Sequence, residues 1–387
     1  MNVLQLISSG GYYGAENVVV SLSESLENKI CKSVIGLFHN DFQRNEEFVR
    51  QAERRGLAVQ QIICRGRWDW QTVRAIREIL DRLNIDILHT HGYKADIYGF
   101  LATRKRKLPI VSTCHLWTHD TVAVRCYDYI DSLFLRRFDA VVAVSETIAK
   151  SLRRSGVHGS KIRVIDNGID LHSFSPTHAT LSERTDKRQN LVVGTVGRLV
   201  PQKGLEYFLR AAREVLRVFP NVIFRVIGSG PEGRKLKQMA MDLEIHPNVI
   251  FTGECSDMPA AYASMDVFVL TSIDEGMPMV VLEALASKKP VIATQVGAIP
   301  SLVIPEKTGL LVAPKDVQAL KQAILRLLND APLRTELGEN GEALVMRGHS
   351  REFMAQNYLQ MYEQVGERLH MNIFNSKSSP EDILDVP

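Results

Sequence analysis

A chain of 387 residues with 45% hydrophobic and 24% charged side chains has ordinary globular composition, which excludes a disordered, collagen-like or disulfide-framework protein. At roughly 100–200 residues per domain, the length predicts two domains, each burying its own core. Lys plus Arg exceeds Asp plus Glu by only 47 − 44 = 3, which argues against nucleic acid as a partner. The charge is uneven: residues 1–170 carry 24 basic and 19 acidic side chains, leaving 23 and 25 for the rest. A mildly basic first half permits peripheral contact with an anionic membrane face. Five cysteines (Cys31, Cys64, Cys114, Cys126 and Cys255) include no C-x-x-C pair, as expected in a reducing compartment. The first residues lack a basic leader, and no apolar run approaches the roughly 18 residues of a spanning helix. A cytoplasmic protein, peripheral at most to the inner membrane face, is expected.

Short Val-, Ile- and Leu-rich runs bounded by Gly, Pro, Asn or Asp predict strands buried on both faces. In chain order they are Val3–Ile7, Ser33–Phe38, Val59–Ile63, Asp86–His89, Ile110–Thr113 and Ala140–Val144, then Leu191–Val196, Val222–Ile227, Val249–Phe251, Val267–Leu270, Val291–Ala293 and Gly309–Val312. Helical patterns separate several of them. Leu205, Phe208, Leu209, Ala212, Val215, Leu216 and Phe219, for example, fall on one helical face. This alternation predicts an α/β architecture with parallel sheets. A polar stretch over 172–190 lacks either period and reads as a linker between domains 1–172 and 190–350. An amphipathic segment at about 352–370 follows the second series, and 371–387 reads as a frayed tail.

Three βα junctions carry the chemistry. The sequence Thr271-Ser272-Ile273-Asp274-Glu275-Gly276-Met277-Pro278 follows a strand, with Pro278 placed as a first helical residue. Backbone N–H groups of Gly276 and Met277 then face an anion or a sugar hydroxyl. Glu275 lies in the loop and Glu283 inside the helix, so the two carboxylates reach opposite ends of one ligand. Gly197-Arg198…Lys203-Gly204 places a planar guanidinium and a flexible ammonium on another turn, a diphosphate clamp or an ordinary basic loop. Ser8-Ser9-Gly10-Gly11-Tyr12-Tyr13-Gly14 follows the first strand without G-x-G-x-x-G spacing, which disfavours a dinucleotide oxidoreductase. Tyr12 and Tyr13 offer stacking to a sugar or pack within the loop. His89, His91, His115 and His119 tempt a zinc reading, but no H-E-x-x-H or cysteine pair accompanies them. Arg104-Lys105-Arg106-Lys107 reads first as a solvated loop and second as a phospholipid contact.

Taken in order, the Gly-rich first loop, His115 after a strand, Asn167-Gly168-Ile169-Asp170, Gly197-Arg198…Lys203-Gly204 and Glu275-x7-Glu283 with Glu275-Gly276-Met277-Pro278 make a combination more specific than its parts. The chain resembles the retaining glycosyltransferases of family 4, which have the GT-B fold. The resemblance implies two Rossmann-like domains facing across a cleft, the terminal helix crossing back to the first. It implies a UDP- or GDP-sugar donor, a saccharide or lipid-linked acceptor, and neither cofactor nor metal. By that likeness Arg198 and Lys203 hold the donor diphosphate beside Gly197, and Gly14 approaches the phosphates or the acceptor. Glu283 takes the ribose, while Glu275, Gly276, Met277 and Pro278 hold the transferred sugar, and His115 faces it from the opposite domain. The family's Gly-Gly pair is Tyr13-Gly14 here, a departure that bears on acceptor and phosphate contacts. The competing readings are a GT-B-like nucleotide-sugar epimerase, which lacks the Glu275-x7-Glu283 loop, and a non-catalytic nucleotide-sugar-binding partner subunit.

Overall fold

The computed structural model describes residues 1–9, 11–27, 31–39, 45–66, 69–115, 130–174 and 190–369. The first sheet contains β1 (Asn2–Ile7), β2 (Lys32–His39), β3 (Ala58–Ile63), β4 (Ile87–His91), β5 (Ile110–Cys114), β6 (Ala140–Ala143) and β7 (Ile162–Val164). Its spatial order is β3-β2-β1-β4-β5-β6-β7. The second contains β8 (Val192–Val196), β9 (Ile223–Ile227), β10 (Val249–Gly253), β11 (Val267–Leu270), β12 (Val291–Thr294) and β13 (Gly309–Val312), in the order β10-β9-β8-β11-β12-β13. All pairings are parallel. Each apolar run named from the sequence overlaps one of these strands, four of them starting or ending one residue outside it. Only β7 escaped that reading, because Ile162-Arg163-Val164 is three residues long and leaves Val164 43% exposed at the sheet edge.

Both sheets are doubly wound, and in each the strand order reverses beside its first strand: between β1 and β4, and between β8 and β11. Loops diverge at such a point and leave a crevice at the carboxyl ends of the strands. The two Rossmann-like domains meet there, and their apolar cores merge: Ile148 and Ile169 of the first domain belong to one buried cluster with Met277, Met279 and Val281 of the second.

The helix Leu205–Leu216 buries Leu205, Phe208, Leu209, Ala212 and Val215, the face its spacing predicts. The helix Arg351–Arg368 lies on the first sheet, where Tyr358 donates to or accepts from Thr113 at 3.0 Å and the hydroxyl of Tyr362 meets His89 Nδ1 at 2.6 Å. The chain passes between domains twice, and the two crossings bond to each other. Ile169 N–H donates to the carbonyl of His349, and Arg351 N–H to that of Ile169, both at 2.9 Å. Most of the polar linker, His119, Cys126 and the tail fall outside the described residues. Among those described, no helix is long and apolar enough to cross a membrane. In the basic run, Arg106 reaches Asp81 with both terminal nitrogens, one at 2.8 Å.

Candidate active site

Two loops of the second domain are knitted together at the switch point. After β8, the chain turns through Gly197 and makes a short 3-10 turn at Pro201–Lys203. It then enters the helix Leu205–Leu216 through Gly204 at φ +59°. Gly204 is required there on two counts. Its backbone is left-handed, and a Cβ would stand 2.3 Å from the carbonyl oxygen of Thr271. That close approach lets Thr271 Oγ1 donate to the carbonyl of Lys203 at 3.0 Å and Ile273 N–H donate to that of Gln202 at 2.8 Å.

Lys203 therefore projects onto the loop after β11. Its Nζ donates to Glu275 Oε1 at 2.5 Å, and the same oxygen accepts from Ser272 Oγ at 2.6 Å. The Glu275 carboxylate is buried, while Lys203 keeps 21% of its side chain exposed. Arg198 does not join them. Its guanidinium lies 5.0 Å from the ring centroid of Tyr13, across from the other domain, a cation–π contact. Gly14 opens the helix Gly14–Glu27 opposite Met279, with room for a Cβ at 3.6 Å.

The helix after this loop runs Met279–Ala286, and Pro278 is its cap, with a non-helical ψ of 117°. The sequence places Pro278 one position too far in. Its ring fixes φ in either location, so the pattern does not separate the cap from the first turn. Glu283, one turn along, is buried, and Tyr262 donates to its Oε2 at 2.8 Å. Burial holds its carboxyl up at about 7, which the Tyr262 hydrogen bond only partly offsets.

The first domain closes on the same loop. A Cβ on Gly276 would stand 2.0 Å from the carbonyl oxygen of His115, so the two backbones touch. Asn167 Nδ2 donates to the carbonyl of Met277 at 3.1 Å, and Thr147 Oγ1 to that of Gly297 at 3.1 Å. Gly297, at φ +54°, in turn lies under the carbonyl of Glu275. His115 stacks on His91, its Nε2 3.1 Å from His91 Nδ1. Burial pushes His115 down to about 4 and His89 down to about 3, so both rings are neutral at neutral pH. Among the described residues, no group of three or more His, Cys, Asp or Glu side chains converges as a metal would need.

The structure thus gathers Lys203, Glu275, Gly276, Met277, Pro278 and His115 at one junction, with the Lys203 stem 3.6 Å from where a Cβ on Gly197 would stand. Arg198 and Gly14 border it from the Tyr13 side, and Glu283 lies deeper, against Tyr262. In this structure Lys203 pairs with the glutamate that the likeness assigns to the sugar, and Arg198 stands apart from it against Tyr13. Of the two readings of the tyrosines, packing is the one seen: Tyr13 lies under Arg198, and Tyr12 packs edge-on to Phe48 at 6.1 Å while donating to Asn17. Sequence reasoning missed Ser272, Tyr262, Gly297 and Gln5. Only the first has a local signal, three residues from Glu275 in the same loop.

Residues 180–344 match the family model "Glycosyl transferases group 1", and residues 12–173 match "Glycosyltransferase Family 4". The chain is 29% identical to UDP-Gal:alpha-D-GlcNAc-diphosphoundecaprenol alpha-1,3-galactosyltransferase of Escherichia coli, over 68% of this chain and 72% of that protein. It is 31% identical to sulfoquinovosyl transferase SQD2 of Arabidopsis thaliana over 69% of this chain, a match spanning 54% of the plant protein. The crystal structure of Alr3699/HepE of Anabaena with UDP and glucose superposes with a TM-score of 0.83 at 22% identity, covering 94% of this chain and 100% of that one. The chain belongs to the GT-B glycosyltransferases of family 4 type, enzymes that take a sugar from a nucleotide-sugar donor in glycan biosynthesis.

Proposed function

We propose that this glycosyltransferase is retaining and metal-independent, and that it moves a hexose from a UDP-sugar to a lipid-linked saccharide in glycan, polysaccharide or glycolipid assembly. The observation that carries the reading is the Lys203–Glu275 pair at 2.5 Å, set beside the start of the helix Met279–Ala286 and facing His115 across the domain junction. Breaking the anomeric C–O bond puts positive charge on the sugar and negative charge on the departing nucleotide. An ammonium, a guanidinium and helix N–H groups at the leaving side favour that separation without a cation. Lys203, released from Glu275 as the donor enters, takes a phosphate oxygen. Arg198 swings from Tyr13 to another, and Glu275 is left to hold a hydroxyl of the transferred sugar. Glu283 takes the ribose.

Residues 1–172 supply the acceptor side and 190–350 the donor side. The acceptor attacks from the face the nucleotide leaves, which preserves the anomeric configuration. A UDP donor is favoured by the E. coli relative, whose name specifies UDP-Gal and a diphosphoundecaprenol-linked sugar, and by the UDP bound in the Anabaena structure. The basic first half suits an acceptor held at the inner face of a membrane. Incubation with UDP- and GDP-hexoses, with and without polyprenyl-diphosphate saccharides and with a chelator throughout, should release UDP only when an acceptor is present. The product's anomeric coupling should match the donor's. Inversion, or dependence on an added divalent ion, would overturn the corresponding part.

A further inference from the structure

Beneath His115 lies a polar row that an apolar core would not need. Gln5 on β1, His89 and His91 on β4, and Thr113 on β5 all point to one face of the sheet, and all are within 3% of full burial. Register explains the alignment: Gln5 is opposite His89, and His91 is opposite Thr113. Buried polar groups are costly unless each finds a partner, and here each does. His91 Nε2 meets Gln5 Oε1 at 2.8 Å, while Gln5 Nε2 donates to the Tyr362 hydroxyl at 3.3 Å. That hydroxyl meets His89 Nδ1 at 2.6 Å, and His89 Nε2 meets Thr113 Oγ1 at 2.8 Å.

The donors in this row are not independent. An amide oxygen can only accept, so His91 must carry its proton on Nε2. A neutral His91 then has a bare Nδ1, which must accept from His115 Nε2–H. His115, a partly buried residue, is left with an unprotonated Nδ1, which bonds to no described residue. Turning the amide over would reverse every donor in the series and put the proton on the other nitrogen of His115.

We propose that Gln5 is a positioning residue: its amide fixes His115 as the Nε2–H tautomer and so presents Nδ1 as an acceptor for a hydroxyl of the transferred sugar. This rests on His115 facing the sugar, as proposed above. His115 is a neutral acceptor in this scheme, not an acid, and Gln5 acts on it through His91 without touching substrate.

Long-range nitrogen–proton NMR of ¹⁵N-histidine-labelled full-length protein reads the tautomers directly. The wild type should show His115 and His91 as Nε2–H forms; an Nδ1–H form of His115 would overturn the inference without any variant. Gln5→Met should give His115 a mixture of tautomers and lower kcat/KM by about tenfold, the size of one neutral hydrogen bond, with UDP affinity unchanged. An unmoved His115 tautomer in Gln5→Met would sink the role of Gln5 and leave the reading of the site intact. Full turnover by His115→Ala would instead sink the site reading, whatever the tautomer measurement says.

Discussion

Lys203 and Glu275 balance each other's charge in a site where neither is fully solvated, so changing one affects the other as well as any ligand. Among the described residues, Lys203→Ala leaves the Glu275 carboxylate with only the Ser272 hydroxyl. It should reduce stability by about 1–3 kcal/mol, the usual cost of stranding a hydrogen-bonded charge. Adding Glu275→Gln removes that charge. The double variant should regain stability in a denaturant titration while remaining inactive in transfer; recovery of both would mean the pair is only structural. Glu283 makes a different prediction, about pH. Burial raises its folded-state carboxyl from 4.5 to about 7, so between those values the folded protein holds a proton that the unfolded chain has lost. Its stabilising contribution is present below about 4.5 and disappears as pH rises through 7. His89 and His115, pushed down by burial, act in the opposite sense and weaken the fold as pH falls below about 6.5. The difference between wild type and Glu283→Gln isolates the carboxylate. Without nucleotide, Glu283→Gln should gain relative stability as pH rises from 5 to 8, on the order of 2–3 kcal/mol, read from melting curves across that range. A flat difference would mean the folded carboxyl titrates near its ordinary value.

Loop and strand ends decide whether these side chains meet. Gly276 has no left-handed φ; it is a glycine because the backbone of His115 occupies the place of its Cβ. Gly276→Ala must push the loop away from His115 by an ångström or more. Misplacement of that size costs transfer on the order of 100-fold, whereas UDP, which the proposed function puts on the far side of the loop, should bind within about threefold of wild type. Calorimetry with UDP beside a turnover assay checks this, and equal loss of both would place the nucleotide against the first domain. The steric role of Gly276 was hidden in the sequence, although its position was not. Strands such as Val192–Val196 and Val291–Thr294 announce themselves because burial on both faces demands an unbroken apolar run. Loops at their carboxyl ends announce the site because Gly, Pro and charged residues cluster there. What stayed hidden is set by contacts between distant segments. Gln5 and Tyr362 are 357 positions apart, and the hydroxyl that covers Glu283 comes from the neighbouring crossover, at Tyr262. Tyr12 and Tyr13 show the same limit: the loop sequence leaves stacking on a sugar and packing within the loop both open, and only the contacts with Phe48 and Arg198 separate them.

Across the whole molecule, the domains are joined by two strands of chain that bond side by side at Ile169 and Ser350, so any opening of the cleft bends both together. A Cβ on Gly168 would lie 2.3 Å from the carbonyl oxygen of Ser350, which shows how closely the crossings run. Arg351 fastens this place to the first domain. Its Nη1 lies 2.7 Å from Glu24 on the helix Gly14–Glu27 and 3.4 Å from Asp170 on the other crossing, and its side chain is 19% exposed. The terminal helix that starts at Arg351 carries Tyr362 to Gln5 and His89, so the fastening and the polar row under His115 share one rigid element. An exposed ion pair would contribute little, but one guanidinium shared by three carboxylates, Glu24, Asp170 and Glu352, at a half-buried crossing should hold more. Arg351→Met keeps the stem and removes the fork. It should lower stability by about 1–3 kcal/mol and speed hydrogen exchange at the amides of Ile169 and Arg351, which bond across the crossings. Exchange in β8 to β13 should remain at the wild-type rate, since among the described residues no ion pair of the cluster goes to the second sheet. If those two amides stay as protected as in the wild type, the crossings are held by their backbone pairing and the apolar packing beneath it, and the Arg351 cluster lies over a hinge that closes without it.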